Sequence, residues 1–226
     1  MKKYPSITIT ASLLLVASSS LPAAFIIDAF DGEIPATSTG FTYDDPAILG
    51  GERDFDGSSI ASVSFSGGNF TFNSLSGIAS VGIHYDGNDD SIFLGDLLGG
   101  VDLTEGGLAD RFFFDVESFT ATNAGVAISV HDASGDYIRS SVVTINSTGR
   151  YEVLFSDLIH VVGTGADITS VNAIRFVPTD NADVGSGGPG SVVFSSFGTA
   201  IPEPGSALLT GLGLLGALVR RRRFAR

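Results

Sequence analysis

Residues 125–139, GVAISVHDASGDYIR, contain the pattern that decides the fold class of this chain. In its first half, apolar residues alternate with small or polar ones: Val126, Ile128 and Val130 against Ala127, Ser129 and His131. This period of two is typical of a β-strand with one buried face. The Asp and Gly residues of HDASGD suit a tight hairpin loop. The stretch therefore predicts two strands joined by a hairpin.

Similar runs recur through residues 25–199, separated by Gly, Asn, Asp and Ser. No stretch there predicts an amphipathic helix longer than about two turns. About ten short strands without helices predict an all-β domain, an antiparallel β-sandwich of jelly-roll type. The predicted strands are FIIDAF, SIASVSFS, NFTFNSL, ASVGIHY, RFFFDVESF, GVAISVH, DYIRSSVVTI, GRYEVLF, VNAIRFV and SVVFSSFGT.

The first 24 residues have the pattern of a secretory signal peptide. Lys2 and Lys3 supply the positive start, residues 7–16 an apolar stretch, and SSSLPAA the small residues that precede cleavage. We therefore expect residues 1–24 to be removed and the domain at 25–199 to be exported.

The C-terminal residues 200–226 combine three features in a fixed order. The triplet Pro202, Glu203 and Pro204 is stiff and incompatible with a helix, because proline restrains its own φ and the residue before it. Residues 207–219 are uncharged and mostly apolar, which predicts a helix of about 20 Å, short for a hydrocarbon core of about 30 Å. A basic cluster follows, formed by Arg220, Arg221, Arg222 and Arg223.

This tail resembles the PEP-CTERM sorting signal of bacterial exported proteins. The resemblance covers about 26 residues and includes all three parts of the family pattern: the triplet, the apolar helix and the arginines. It implies recognition by an exosortase, a membrane-embedded cysteine enzyme, after transient anchoring in the inner membrane. It also implies a destination in the cell envelope, at the cell surface or in an extracellular biofilm matrix.

The charge distribution argues against nucleic acid as a partner. The whole chain has a net charge of −13, and its basic residues are concentrated at the two ends. Between residues 25 and 199 only five arginines face 24 acidic residues, a surface that repels phosphate backbones. Cations and neutral polymers remain compatible with this surface.

The domain lacks the residues that several kinds of catalysis require. The chain has no cysteine, and its lysines stand only at positions 2 and 3, which excludes thiolate and Schiff-base chemistry from the domain. The three histidines have no metal-helix spacing, and no G-x-S-x-G elbow is present. We therefore expect a protein that is not an enzyme. A carbohydrate-active hydrolase with two paired aspartates is the remaining enzymatic alternative.

The segment HYDGNDD is the best candidate for a metal site. Asp86, Asn88, Asp89 and Asp90 offer hard oxygen ligands on a Gly-containing loop, which suits a structural Ca²⁺. The loop has no glutamate at the closing position, and an ordinary acidic turn is the alternative. A second arrangement would join two acids near the first strand to two near the last: Asp28, Asp31, Asp180 and Asp183.

The domain also resembles the galactose-binding-like and carbohydrate-binding jelly rolls. The resemblance rests on IIDAFDGE, GRYEVLFSDL, DITSVNAIRFV and the closing SVVFSSFG. It implies sugar binding through exposed aromatic residues, and often a structural calcium. Candidate ligand-binding residues beside polar loops are Tyr85, Asp86, Asn88 and Tyr137.

Together these features predict an exported protein that binds or organises polysaccharide. A structural or adhesive matrix protein without sugar affinity is the alternative from another functional class.

Overall fold

A computed structural model of the protein describes residues 24–37, 40–75, 78–89, 98–180 and 189–202. Within these ranges the chain forms fifteen strands and one 3₁₀ turn, Phe155–Asp157. The strands are β1 (Ala24–Asp28), β2 (Ile34–Thr37), β3 (Phe41–Asp44), β4 (Glu52–Gly57), β5 (Ala61–Ser66), β6 (Asn69–Ser74), β7 (Ala79–Tyr85), β8 (Arg111–Phe119), β9 (Ala124–Asp132), β10 (Tyr137–Arg139), β11 (Val143–Thr144), β12 (Gly149–Leu154), β13 (Ile159–Val162), β14 (Val171–Asp180) and β15 (Gly190–Ala200).

The strands form two sheets, and the strand pairs within each sheet are antiparallel. The first sheet has the order β12-β8-β15-β6-β5-β2, and β1 also pairs with β15. The second has the order β13-β10-β9-β14-β7-β4-β3, and β11 also pairs with β9. The predicted all-β antiparallel sandwich is confirmed.

Phenylalanine rings fill the space between the two sheets. Phe176 on β14 of the second sheet lies with its ring centroid 4.8 Å from that of Phe197 and 5.3 Å from that of Phe194, both on β15 of the first sheet. Phe30 and Phe114 add rings 6.3 and 5.8 Å from Phe176. All five side chains are buried, so the alternating apolar residues of the two sheets meet in one core.

Four strands were missing from the sequence prediction, and one predicted strand is divided. The missed strands are β2, β3, β4 and β13, each of four to six residues with a proline, charged residues or a weak alternation. The run DYIRSSVVTI splits into β10 and β11 at Ser140. There the Ser140 side chain accepts a hydrogen bond from the Ile128 amide at 3.0 Å, and the Ser140 amide donates to the Ile128 carbonyl.

A buried ion pair crosses between the sheets. Arg53, on the inward face of β4, donates from Nε and Nη2 to the two carboxylate oxygens of Asp28 on β1, at 2.6 and 2.5 Å. The hydroxyl of Tyr85 donates to the same carboxylate at 2.9 Å, and Arg53 Nη1 donates to the carbonyl of Asp31. Arg53 and Asp28 are 1% and 0% exposed. The two sheets are therefore held together by charge as well as by the aromatic core.

Candidate functional site

A row of polar residues runs across the middle of the outward face of the second sheet. Asp54 lies opposite His84, His84 opposite Arg175, Arg175 opposite Ser129, and Ser129 opposite Arg139. Their neighbours along the strands are largely core residues, so these five side chains share the other face. We call them the central row. Directly opposite residues are about 5 Å apart, so the row spans five neighbouring strands without a break.

Arg175 organises the centre of this row. Its Nη2 donates to both carboxylate oxygens of Asp56 at 2.8 and 2.9 Å, and its Nε donates to Nε2 of His84 at 3.0 Å. Burial alone would raise the pKa of Asp56, but the contacts with His84 and Arg175 lower it to about 2. Gly82 lies beneath this bridge. A side chain does not fit at this position, because a Cβ there would collide with Asp56 and Arg175. The bridge therefore holds Arg175 in one orientation.

A stacked aromatic pair adjoins the central row. The rings of His131 and Tyr137 lie opposite each other on β9 and β10, with centroids 4.7 Å apart and planes 3° from parallel. Both side chains are partly exposed. They stand two residues along their strands from Ser129 and Arg139, on the same face. The face thus presents a flat aromatic surface beside hydrogen-bonding groups.

Four carboxylates converge at one end of the same sheet, and we call them the acidic cluster. Glu52 and Asp54 lie on β4, while Asp86 and Asp89 follow β7. The first three are fully buried. Carboxylate oxygens of Glu52, Asp54 and Asp89 lie within 4.8 Å of one another, and the Asp89 amide donates to Glu52 Oε2 at 3.0 Å. The fold thus concentrates negative charge where water has little access.

Asp54 is the most perturbed member of the acidic cluster. Burial raises its pKa far above the usual range, and the neighbouring carboxylates of Glu52 and Asp86 raise it further. Both of its carboxylate oxygens are buried and accept no hydrogen bond from the described part of the chain. A buried carboxylate without donors is costly, so this position requires a proton or a cation.

The structure brings only part of the predicted metal-ligand set together. Asp86 and Asp89 belong to the acidic cluster, whereas the Asn88 side chain donates to Asp44 at 3.4 Å. Asp90 lies outside the described residues. Glu52 and Asp54 were missed by the sequence analysis. The alternation in GERDFDG, which places these two acids and Asp56 on one face of a strand, was the signal that pointed to them.

The second metal arrangement predicted from the sequence is wrong for Asp28. Strands β1 and β15 do pair, as a jelly roll requires. However, the two oxygens of Asp28 accept hydrogen bonds from Arg53, Tyr85 and the Phe30 amide, and the carboxylate lies between the sheets. Asp183, another member of that set, lies outside the described residues.

Tyr85 was predicted to bind ligand, and this is wrong. Its side chain is fully buried, its ring packs 5.9 Å from Phe197, and its hydroxyl donates to Asp28. The alternation along β7 explains the error, since Tyr85 continues the inward series of Val81 and Ile83. Tyr137, the other predicted aromatic residue, lies on the outward face in the stacked pair.

The sorting tail begins where the described residues end. Pro202 is the last of them, so Glu203, Pro204, the apolar residues 207–219 and Arg220 to Arg223 lie outside. Residues 1–23 of the predicted signal peptide, residues 1–24, also lie outside. Among the residues that the structure describes, no helix has the length and apolarity needed to cross a bilayer.

The PEP-CTERM protein-sorting motif matches residues 200–223. The chain therefore carries a C-terminal sorting tail, which indicates an exported protein. A search of curated protein sequences found no match.

Similar solved structures include carbohydrate-binding modules and glycoside hydrolases. A family 11 carbohydrate-binding module from Clostridium thermocellum, solved with a mixed-linked tetrasaccharide, has 14% identity and a TM-score of 0.39, over 80% of this chain and 96% of that one. PfGH50B has 11% identity and a TM-score of 0.41, over 73% of this chain and 24% of that one. The chain thus spans about a quarter of PfGH50B. Likeness at this level says nothing of what this chain binds.

Proposed function

We propose that this is an exported protein, processed at its tail by an exosortase, whose sandwich binds polysaccharide on the outward face of the second sheet. The observation that carries the binding half is the central row beside the stacked His131 and Tyr137. Arg139 is exposed, and Arg175 and Asp56 are partly exposed, so this face offers both donors and acceptors to sugar hydroxyls. Asp54, His84 and Ser129 of the row are buried and support these groups from below. A partly exposed aromatic ring suits the apolar face of a sugar ring.

The geometry favours binding over hydrolysis. A glycosidase needs two carboxyl groups about 5–10 Å apart with the scissile bond between them. Here Glu52, Asp54 and Asp86 are fully buried, and Asp56 is held by Arg175 with its pKa lowered to about 2. Neither arrangement leaves an accessible acid beside an accessible base. We therefore assign the face a role in binding, without a catalytic residue.

A structural matrix role is the second candidate, and strand β13 is the observation that favours it. β13 is the edge of the second sheet in the described chain, and it exposes Ile159, Val161 and Val162 by 55%, 49% and 53%. An exposed apolar edge can pair with a strand of another molecule. Self-association that is lost in Val161→Lys, in a protein that binds no glycan, would favour this candidate over sugar binding.

Removing the side chain of Arg139 or Tyr137 is expected to weaken glycan binding. Arg139→Ala loses hydrogen bonds from a charged donor, worth about 1.5–3 kcal/mol, and so at least about tenfold in affinity. Tyr137→Ala removes a partly exposed ring of the stacked pair and is expected to reduce affinity by a similar factor. The measurement is a glycan array with the purified protein, followed by titration with the best-bound glycan.

Arg150→Ala provides the matched control for this experiment. Arg150 is an exposed arginine on β12 of the first sheet, where it pairs with Asp115. We expect its removal to leave glycan binding unchanged. If the array shows no binding by the wild-type protein, or if Arg139→Ala and Arg150→Ala bind as well as the wild type, the assignment of this face is incorrect.

Replacing Pro202, Glu203 and Pro204 together with alanine is expected to block tail processing. Alanine at these positions is compatible with the helix that the sequence predicts at residues 207–219, so the stiff triplet that precedes this helix would be lost. We expect an uncleaved protein retained in the inner-membrane fraction, measured by fractionation and intact mass. Ser206→Ala, just beyond the triplet, is the control and should be processed normally. Normal release of the triple variant would contradict exosortase recognition.

A further inference from the structure

We propose that Glu52, Asp54, Asp86 and Asp89 form a Ca²⁺ site that joins strand β4 to the segment after β7. The oxygens of Glu52, Asp54 and Asp89 lie within 4.8 Å of one another. Two oxygens bound to the same Ca²⁺ at about 2.4 Å are at most about 4.8 Å apart, so the three residues meet the separation that a shared ion requires. The Asp86 carboxylate interacts with that of Asp54 and adds a fourth carboxylate beside this set.

Asp54 provides evidence for this site that is independent of the distances between the carboxylate oxygens. Its side chain is 0% exposed, and both of its oxygens accept no hydrogen bond from the described residues. The carboxylate also points into the cluster, since its oxygen meets those of Glu52 and Asp89 there. An ordinary acidic turn behaves differently. The exposed Asp102, for example, accepts hydrogen bonds from Thr104 and Gly106.

The donor set selects the class of ion. All four side chains are carboxylates, which are hard oxygen ligands, and neither sulfur nor imidazole nitrogen belongs to the set. His84 is the histidine of the central row, and its Nε2 already accepts a hydrogen bond from Nε of Arg175. Irregular, carboxylate-rich sites from strands and loops favour Ca²⁺, whereas Mg²⁺ requires near-ideal octahedral geometry and keeps most of its water.

Binding here would stabilise the fold because the ligands come from separate segments. Glu52 and Asp54 belong to β4, and Asp89 follows β7 by four residues and donates from its amide to Glu52. An ion that binds the folded arrangement and not the unfolded chain raises the melting temperature. It also offsets the repulsion among the buried carboxylates.

The test is thermal unfolding of the purified protein in EGTA, in Ca²⁺ and in Mg²⁺, with calorimetric titration of Ca²⁺ alongside. At a Ca²⁺ concentration about 100-fold above the dissociation constant, we expect the melting temperature to rise by about 5–10 °C. Titration should give one ion per chain. The absence of a shift and of binding would overturn the proposal, and an equal shift with Mg²⁺ would overturn the assignment to calcium.

Two variants separate a metal site from an acidic cluster that needs no metal. Asp54→Asn keeps the shape of the side chain and removes one buried charge, so in EGTA it should melt at or above the wild-type temperature. In Ca²⁺ it should show little of the wild-type shift. Asp157→Asn, at an exposed position in the 3₁₀ turn, is the control and should respond as the wild type does. A full Ca²⁺ response in Asp54→Asn would overturn the proposal.

Discussion

Arg53→Met is expected to lower the free energy of unfolding by about 3–5 kcal/mol, because it leaves a buried carboxylate without its counter-ion. In the native protein, Asp28 accepts two hydrogen bonds from Arg53 and one each from Tyr85 and the Phe30 amide. The methionine keeps much of the packing against the Phe65 ring, over which the guanidinium lies at 4.7 Å. Urea unfolding followed by circular dichroism measures the loss.

Two further variants test this explanation. One combines Asp28→Asn with Arg53→Met, and the other breaks an exposed ion pair. Removing the charge of Asp28 together with that of Arg53 should restore part of the stability, since no buried charge then remains uncompensated. Arg150→Met, which breaks an exposed pair with Asp115, should cost only about 0–1 kcal/mol. Equal losses of unfolding free energy in Arg53→Met and Arg150→Met would show that the buried ion pair contributes no more to stability than the exposed one.

Phe176→Ala is expected to cost about 3–5 kcal/mol in the free energy of unfolding, because it opens a cavity at the centre of the core. The ring is fully buried and contacts rings from both sheets, including Phe114, Phe194 and Phe197. These neighbours lie on strands paired at both edges, so they can move little to fill the space. The same urea experiment measures the loss.

Phe119→Ala is the control for the core prediction. Phe119 ends β8 and is only partly buried against the core, so its removal should cost less than half as much. Phe176→Leu should recover most of the lost stability, because it leaves a smaller cavity. If Phe119→Ala and Phe176→Ala were equally destabilising, the core would not be centred on β14.

Strands with clean alternation could be predicted from the sequence, and strands with charge on their inward face could not. In GVAISVH each inward residue is apolar, and β9 follows the prediction. In GERDFDG the inward series contains Arg53, which is compatible with a core only because Asp28 lies opposite it on the other sheet. Local sequence contains no information on that pairing, so β4 was missed.

The same limit applies to the candidate site. Asp86 and Asp89 were found as neighbours in HYDGNDD, but Glu52 and Asp54 join them only because β4 and β7 pair in one register. A shift of that register by one residue would turn the two acids to the other face. The prediction that Tyr85 binds ligand was wrong for a similar reason. Proximity to a polar loop in the sequence does not determine which face of the strand a side chain occupies.

By itself, the sequence determined the all-β class, the sorting tail and the acidic character of the domain. These properties depend on local period, short motifs and composition, which neighbouring residues specify without reference to distant ones. Only the tertiary structure decided that Arg53 is buried against Asp28, that five polar residues form the central row, and that four carboxylates meet at its end. Strand register and sheet packing set these contacts, and they join residues as far apart as His84 and Arg175.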